Sequence, residues 1–360
     1  MSDNISISIE GRKLKLEDDY FNYSSFEFSN RCYAISEGKI HFFGNQHGNI
    51  KTMDNGVSYL GKKVKIEYGS FSKEIVFAGF VSGIKSYNEG YSTSVDLLVS
   101  SPEFWMLSGK TSVSWNGEGT YSDILDQILS GYGSKFDGTE VDISYDLPVS
   151  LISLPGTSEN DYDYVKRISK ITGSFFYSLD GNVKVRTIEP DSSNSFKLEY
   201  EGKIGEDYFV KKIKLTSNIM HIPKSVSYSY IKDDDYENPI SLANELDKFG
   251  SGNPADSVAS NIDDSTTFNF SNLSIDSDDT AKYLSKAEYK VRSINLVKCE
   301  ITCSFWPEVK VGGNMTLSNF SKAINNTYII TSVIHRYEAL EHNSKFITVL
   351  TLNSDAMPSV

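Results

Sequence analysis

The segment 153–185 constrains the fold most, because it joins a helix pattern directly to a hairpin pattern. Thr157 or Ser158 can cap the free amides of a helix start, and Asp161 stands at the capping-box position three residues after Ser158. Gly173 follows, and glycine readily takes the left-handed conformation that ends a helix. Between these signals, apolar residues at three-residue spacing predict one buried helix face: Tyr162, Val165, Ile168 and Ile171.

The second part of this segment predicts a β-hairpin. Residues 175–179 form an aromatic, β-prone run, and the sequence Asp-Gly-Asn at 180–182 suits a tight turn. Val183 and Val185 then alternate with charged residues, as in a strand with one solvated face. On spacing alone, the whole segment is typical of an ordinary α+β unit.

Composition favours a β-rich protein with more than one domain. The chain has 360 residues, which is enough for two or three domains. Its 22 tyrosines and 20 phenylalanines, within a hydrophobic content of 39%, supply bulky side chains for real cores. Valine, isoleucine, threonine, tyrosine and phenylalanine are abundant while alanine is scarce, and this balance favours strands.

The formal net charge of −13 restricts the partners of the protein. A chain this acidic repels nucleic acid, so direct nucleic-acid recognition is excluded as its main activity. The N-terminus has neither a basic start nor an apolar stretch, and no window approaches about eighteen uninterrupted apolar residues. We therefore expect no signal peptide, no membrane anchor and assembly in the cytoplasm.

Cysteine and histidine usage argues against a metal centre. Three cysteines cannot build a disulfide framework, and Cys299 and Cys303 lie in an alternating apolar run that predicts one buried strand face. A metal site needs further ligands close by, but the five histidines are scattered: His41, His47, His221, His335 and His342. We predict no metal site and no cofactor.

Sequence patterns divide the chain into three parts. Residues 1–105 carry repeated short strands and predict a first β domain, a small barrel or sandwich. Residues 106–195 carry two capped helix patterns and predict an α+β middle domain. Residues 196–360 return to β character and predict a second β domain. A polar, acidic stretch at about 233–279 interrupts it, and we interpret this stretch as a long loop or excursion, about half ordered, and not as a domain.

Shorter patterns predict individual elements within these parts. Thr120 and Asp123 are placed to cap a helix, and Asp278 or Asp279 is placed to cap another. Strands are predicted at 143–153, 226–230, 297–305, 314–318, 327–337 and 345–353.

Three separated motifs follow one another in a recognisable order. The first is Thr-Tyr-Ser-Asp-Ile-Leu-Asp-Gln-Ile-Leu at 120–129, and the second is Asn-Asp-Tyr-Asp-Tyr-Val-Lys-Arg-Ile at 160–168, before a glycine and an aromatic run. The third is Tyr-Ile-Ile-Thr-Ser-Val-Ile-His-Arg at 328–336, before a last strand at 346–352. In this order of elements the chain resembles the phage tail and baseplate hub family. That family includes the late control D proteins, the T-even baseplate hubs and the N-terminal part of the VgrG spike proteins.

The resemblance implies a β-rich α+β protein with the tail-hub fold, in which two similar β-barrel domains flank a small α+β domain. It implies a homotrimer whose six barrels form a ring that adapts a sixfold tail tube to a threefold spike. The implied partners are tail-tube or tube-initiator proteins, baseplate proteins and a spike protein. The implied location is the baseplate of a contractile phage tail or of a tail-like bacteriocin particle. Because no needle or wall-degrading domain follows the last strand, we expect the spike to be a separate protein.

The positions that carry the resemblance are structural and not catalytic. On the middle helix and its stop they are Tyr162, Val165, Ile168 and Gly173, and on the late strand they are Thr331, Val333 and His335. We therefore predict a non-enzymatic protein without catalytic residues.

Acidic and aromatic residues leave an alternative function open. Asp161 and Asp163 could act as acid and base on a glycoside if held about 5–10 Å apart, although carboxylates in a first helical turn are better explained by the helix dipole. Trp105, Trp115 and Trp306 could stack on sugars, although such residues more often pack in cores. The alternative is a tail-associated protein that binds carbohydrate or hydrolyses glycosides.

Overall fold

A computed structural model gives the structure of the chain. The residues that it describes fall in these ranges: 5–13, 22–45, 57–69, 72–89, 92–110, 119–148, 159–191, 193–199, 210–218, 225–230, 240–243, 253–254, 267–271, 277–338 and 345–357.

The described residues form mostly strands, with few helices. The helices are a 3-10 helix Pro102–Leu107, α1 (Tyr121–Ser130), α2 (Asp161–Ile171) and α3 (Asp278–Ser293), and residues 57–59 are also helical. The strands before residue 200 are β1 (Ile5–Ile9), β2 (Arg12–Lys13), β3 (Asn22–Arg31), β4 (Glu37–Asn45), β5 (Lys63–Tyr68), β6 (Glu74–Glu89), β7 (Ser92–Ser100), β8 (Gly138–Asp142), β9 (Ser174–Leu179), β10 (Asn182–Thr187) and β11 (Ser195–Glu199). Those after it are β12 (Val210–Ser217), β13 (Ser225–Tyr230), β14 (Ile240–Ala243), β15 (Asn253–Pro254), β16 (Thr267–Ser271), β17 (Val297–Ser304), β18 (Asn314–Ser318), β19 (Asn326–Glu338), β20 (Lys345–Ser354) and β21 (Ala356–Met357).

One sheet of 13 strands runs through most of the molecule. Its strand order is β12-β17-β20-β19-β3-β4-β7-β6-β5-β1-β2, with β18 on β19 and β11 on β18. The N-terminal strands β1–β7 form one half and the C-terminal strands form the other. The two halves meet where β3 pairs with β19.

The two halves repeat the same topology. In the first, the order β3-β4-β7-β6-β5 is antiparallel throughout, and in the second β12-β17-β20-β19-β18 is antiparallel in the same order. The registers also correspond, because Ile40 pairs with Leu97 in the first half as Ile301 pairs with Leu350 in the second. The chain therefore builds one five-strand unit twice.

Two pairs of irregularities in the strands match as well. The β6–β7 ladder shifts register after Val81, and the β19–β20 ladder shifts after Ile330. The β3–β4 ladder shifts after Tyr23, and the β12–β17 ladder shifts after Val210. A bulge bends its strand and increases the local twist, so the two units bend at equivalent places.

Each half has its own apolar core on one face of the sheet. In the first half Phe28 and Ile40 are fully buried, and in the second Ile301 and Leu350 are fully buried. Alternation places the polar residues of the same strands on the other face. Together with the α+β unit described next, these two curled β units confirm the predicted β-rich α+β fold class.

The α+β unit packs helices α1 and α2 against the three-stranded sheet β8-β10-β9. Helix α1 begins with the predicted capping box, in which the Thr120 backbone N donates to Asp123 Oδ2 at 2.8 Å. The predicted cap of α2 is wrong: Asn160 caps the helix and accepts from the Asp163 backbone N at 2.8 Å. Thr157 and Ser158 lie outside the described residues.

The hairpin after α2 follows the prediction, since Asp180 and Gly181 both have positive φ (53° and 87°) between β9 and β10. A strand predicted at 143–153 is wrong over its described part, because the strand lies earlier, at Gly138–Asp142. Its parallel pairing with β10 fixes that position. Residues 149–153 lie outside the described residues.

The stretch 233–279, predicted as a long loop or excursion, contains three short strands. Two of them, β14 and β16, flank β13 in a separate three-stranded sheet, so β13 pairs outside the large sheet. Helix α3 packs against β13 and against α2. Its cap is Ser277, whose hydroxyl accepts from the Thr280 N, and not Asp278 or Asp279 as predicted.

Candidate assembly surfaces

The seam, defined as the pairing of β3 with β19, joins the two β units over seven residue pairs from Arg31–Ser332 to Ser25–Glu338. On its solvated face Arg336 Nη2 lies 2.5 Å from Glu27 Oε2, and both side chains are about half exposed. A continuous backbone ladder leaves no free strand edges between the units. The seam therefore fixes their relative orientation.

An open depression of about 570 Å³ lies on the solvated face at the seam. Its lining comes from both units, with Arg336 on one side and Arg31, Glu27 and Lys39 on the other. Charges of both signs alternate across the strands, since Glu27 lies in register between Arg336 and Lys39. This alternation makes the surface locally balanced in charge.

Next to the depression, Asp96 is a buried anion with two partners. Lys39 Nζ lies 2.8 Å and His41 Nδ1 lies 2.6 Å from its carboxylate. Burial alone would raise the pKa of Asp96, but the hydrogen bonds from Lys39 and His41 outweigh burial and lower it. The ionised carboxylate therefore ties β4 to β7 on the solvated face.

Of the three predicted positions on the late strand, Val333 and His335 lie in the seam and Thr331 lies one residue before it. Val333 and His335 point into the core, where both are buried, and Thr331 Oγ1 donates to Asn353 Oδ1 at 2.7 Å. The His335 ring contacts Thr348 Oγ1 at 3.1 Å. Burial, helped by the charge of Lys310, lowers the pKa of His335 from 6.5 to about 3, so this histidine is a neutral core residue.

The loop 32–36 connects all three parts of the molecule. The Cys32 N donates to the Thr331 O of the C-terminal β unit at 3.0 Å. The Tyr33 N donates to the Phe176 O of the α+β unit at 2.7 Å. The Ser36 N donates to Ser101 Oγ, next to the 3-10 helix, at 2.8 Å. These bonds make the loop a three-way junction.

Tyr33 is the anchor of this junction in the α+β unit. Its φ of +57° lies in the left-handed region, which is uncommon for a bulky side chain and costs on the order of 1 kcal/mol. The hydroxyl donates to the Ser174 O, the ring packs against Phe175 at 5.6 Å, and Lys170 Nζ lies 5.5 Å from the ring centre. These contacts offset the strained backbone.

Glu103 is a buried carboxyl group at the same junction. It accepts a hydrogen bond from the Ser178 hydroxyl on β9, and its Oε1 has no hydrogen-bond partner among the described residues. Burial raises its pKa, against weaker lowering by hydrogen bonds from Ser178, its own backbone, Ser101 and Ser36. Glu103 thus joins the 3-10 helix to the α+β unit through Ser178. Sequence reasoning missed Tyr33 and Glu103, because their roles depend on contacts distant in the chain.

The predicted positions on the middle helix lie in a different place from those on the late strand. Tyr162, Val165 and Ile168 are buried on α2 in the core of the α+β unit. Gly173 follows with φ of +63°, and a Cβ there would lie 3.0 Å from the Cα of Ala287 on α3. The glycine therefore permits both the turn and the close approach of α3. The seven positions divide between two cores and do not form one site.

The aromatic residues of the alternative function are not open platforms. Trp306 is 5% exposed, and Lys135 Nζ lies over the ring of Trp105 at 4.3 Å. Trp115 lies outside the described residues. Asp161 is buried and accepts from the Tyr132 hydroxyl at 2.6 Å, while Asp163 interacts with the cap Asn160. These contacts give each described residue of this group a structural role.

Among the described residues, no group of three or more His, Cys, Asp and Glu side chains is placed to hold a metal ion. Cys299 and Cys303 are free and buried, and burial raises the pKa of both thiols to about 12. No helix in the described part of the chain is long and apolar enough to span a bilayer.

Comparisons by sequence and by structure give different results. No family model matches the chain, and no curated protein matches its sequence. Among solved structures, a tail protein from Neisseria meningitidis MC58 matches with a TM-score of 0.66 at 9% identity, covering 99% of this chain and 97% of that one. The 43 kDa tail protein of prophage MuSo2 from Shewanella oneidensis matches with a TM-score of 0.64 at 11% identity, covering 99% of both chains.

A third similar structure extends the comparison to secretion systems. It is an E. coli component of the type VI secretion system, described as similar to the T4 bacteriophage tail proteins gp27 and gp5. It matches with a TM-score of 0.55 at 8% identity, covering 98% of this chain and 78% of that one. Identities this low establish the fold alone. The chain therefore has the fold of the phage tail hub proteins, which confirms the resemblance predicted from its sequence.

Proposed function

We propose that the protein is a structural, non-enzymatic hub of a phage tail or of a tail-like injection particle. The observation that carries this proposal is the repeated five-strand unit, joined to its copy through the seam. The fold shared with two tail proteins over nearly their whole length supports it. A rigid pair of similar β units is suited to building a wall, and the charged solvated face is suited to a wall in contact with water.

The proposed assembly is a homotrimeric ring. Two alike units per chain give six similar units in a ring of three chains, and a closed rotational assembly needs only one kind of contact between chains. One face of such a ring would match a sixfold tail tube or tube initiator, and the other a separate threefold spike protein. The domains in this proposal are 1–105, 106–195 and 196–360, with the α+β domain on the outside or rim of the ring.

The proposed location is the baseplate of a contractile phage tail or of a bacteriocin-like particle, assembled in the bacterial cytoplasm. Mass photometry and electron microscopy of the purified chain test the assembly. We expect a particle of about 120 kDa, three copies of 40.2 kDa, with six similar lobes around its axis. A protein that remains at 40.2 kDa, even when mixed with its tube and spike partners, would contradict the proposal.

A further inference from the structure

The edge of β19 that faces away from β20 is fully used within the chain. Residues 326–329 of that edge pair with β18, and residues 332–338 pair with β3. The equivalent strand of the first unit, β6, uses only half of its edge. Residues 74–80 pair with β5, and residues 83–89 have no strand on that side among the described residues. Among the described residues, this part of the β6 edge is therefore open, whereas the equivalent part of the β19 edge is occupied by β3.

The second unit presents the complementary edge. Strand β12 is equivalent to β3, and it ends the large sheet. On the side away from β17, no strand among the described residues pairs with it. The two open edges, 83–89 of β6 and Val210–Ser217 of β12, are therefore the equivalents of the two edges that form the seam.

Burial supports the same conclusion. At the seam Phe26, Phe28 and Val333 are buried. Their equivalents in register are Ile213, Leu215 and Ile84, and each of these is only partly buried in the single chain. Apolar side chains that are buried in one copy of a repeat and partly exposed in the other gain stability when a partner strand covers them.

We propose that β12 of one copy pairs antiparallel with residues 83–89 of β6 in a second copy, in the register of the seam. The proposal rests on the proposed ring and specifies the contact that would close it. Transferring the seam register gives these pairs between copies, with the β12 residue first: Ser217–Ile84, Thr216–Lys85, Leu215–Ser86, Lys214–Tyr87, Ile213–Asn88 and Lys212–Glu89.

The chemistry of the transferred register is favourable. No pair brings two like charges together, and Lys212 and Glu89 stand at opposed register positions. Lys214 is set opposite Tyr87, whose side chain is 47% exposed in the single chain. Lysines on an open strand edge also discourage pairing with unrelated strands. Because the two edges are different surfaces, the contact is heterologous and generates a ring where its rotation closes.

Cysteine cross-linking of the full chain tests the register. Lys85→Cys together with Thr216→Cys places two thiols at directly opposed positions, where Cβ atoms lie about 4.5–5.5 Å apart. The matched control combines Lys85→Cys with Lys212→Cys, which moves one thiol four residues, or about 13 Å, along the strand. The wild-type chain reports any background from its native cysteines. The readouts are non-reducing electrophoresis after mild oxidation and native mass.

We expect covalent multimers in the first variant at least ten times more abundant than in the control, and none with wild-type protein. A ring of about 120 kDa in which neither variant cross-links, or both do so equally, would overturn this interface and leave the proposed ring intact. A 40.2 kDa particle without cross-links would overturn both. As a second measurement, Lys212→Glu, which would set two glutamates at opposed register positions, should weaken assembly at least tenfold at an unchanged melting temperature of the subunit. Unchanged assembly would count against the interface.

Discussion

Arg336 and Glu27 form an ion pair of 2.5 Å although 309 residues separate them in the chain. The pair lies in the middle of the 13-stranded sheet, on the face opposite the apolar core. It marks the seam, where strands from the two ends of the chain form one ladder. The seam joins the two β units in one continuous sheet, and unfolding experiments can separate the contribution of its surface charges to stability from that of its core.

A double-mutant cycle on Arg336→Ala and Glu27→Ala should give a coupling energy of only about 0.2–1 kcal/mol, because both side chains are nearly half exposed. Urea unfolding at low and at high salt measures it, and salt should reduce it further. By contrast Val333→Ala, in the buried face of the same strand, should cost about 2 kcal/mol. A coupling energy larger than the cost of Val333→Ala would show that the seam is stabilised mainly by its surface charges and not by its buried face.

His335 should make the protein sensitive to acid. Its pKa in the folded chain is about 3, below the ordinary 6.5, so protons bind the unfolded chain more readily. Stability should be complete above pH 6.5 and should fall as the pH drops from 6.5 toward 3. The expected loss is on the order of a few kcal/mol, since each pKa unit is worth about 1.4 kcal/mol.

Urea unfolding of wild type and His335→Gln at pH 7.5, 5.5 and 4.5 separates this effect from that of other acids. The variant should lose less stability over this range than the wild type, because glutamine does not titrate. Parallel losses in the two proteins would exclude His335 as the source.

Glu103 should make the protein less stable as the pH rises, which is opposite to the effect of His335. Burial raises its pKa in the folded chain, so the neutral carboxyl group stabilises the folded state below the ordinary pKa of 4.5. That contribution is lost as the pH rises through the folded-state value. Glu103→Gln keeps the shape without the charge and should therefore gain stability relative to wild type as the pH rises above 4.5. Thermal unfolding from pH 4.5 to 9 measures the difference, and a constant difference would contradict the assignment.

Val165→Asp should unfold the α+β unit. Val165 is fully buried on α2, and an unpaired carboxylate there should cost about 3–5 kcal/mol or more. Gln127→Asp introduces the same residue at an exposed position of α1 and serves as the control. It should change the free energy of unfolding by no more than about 0.5 kcal/mol. The yield of folded protein and limited proteolysis are the measurements. An unchanged assembly yield for Val165→Asp would contradict the placement of α2.

Local signals in the sequence were enough for several elements. The capping box at Thr120 and Asp123, and the turn at Asp180 and Gly181, depend on residues within a few positions of each other, and both are present. Strands β18 and β19 match their predicted ranges to within one residue at each end. The cap of α2 was misplaced because Asn160, Ser158 and Thr157 are all good capping residues, and sequence alone does not choose between them.

Long-range features could not be predicted in this way. Tyr33 and Glu103 act through partners more than 70 residues away, which no local pattern encodes. Strand β13 has an ordinary strand pattern, but the choice between two sheets depends on β14 and β16. The repeat of the five-strand unit is also not visible as sequence identity. Equivalent positions share apolar character and register shifts, but most of their residues differ, as Val81 and Ile330 do.

The pairing of β3 with β19 also has a consequence for synthesis of the protein. The ribosome makes β3 some 300 residues before its partner, and at about 5–20 residues per second this corresponds to roughly 15–60 s. During that interval the nascent N-terminal unit exposes an uncovered strand edge. We therefore expect early pauses in translation to promote aggregation.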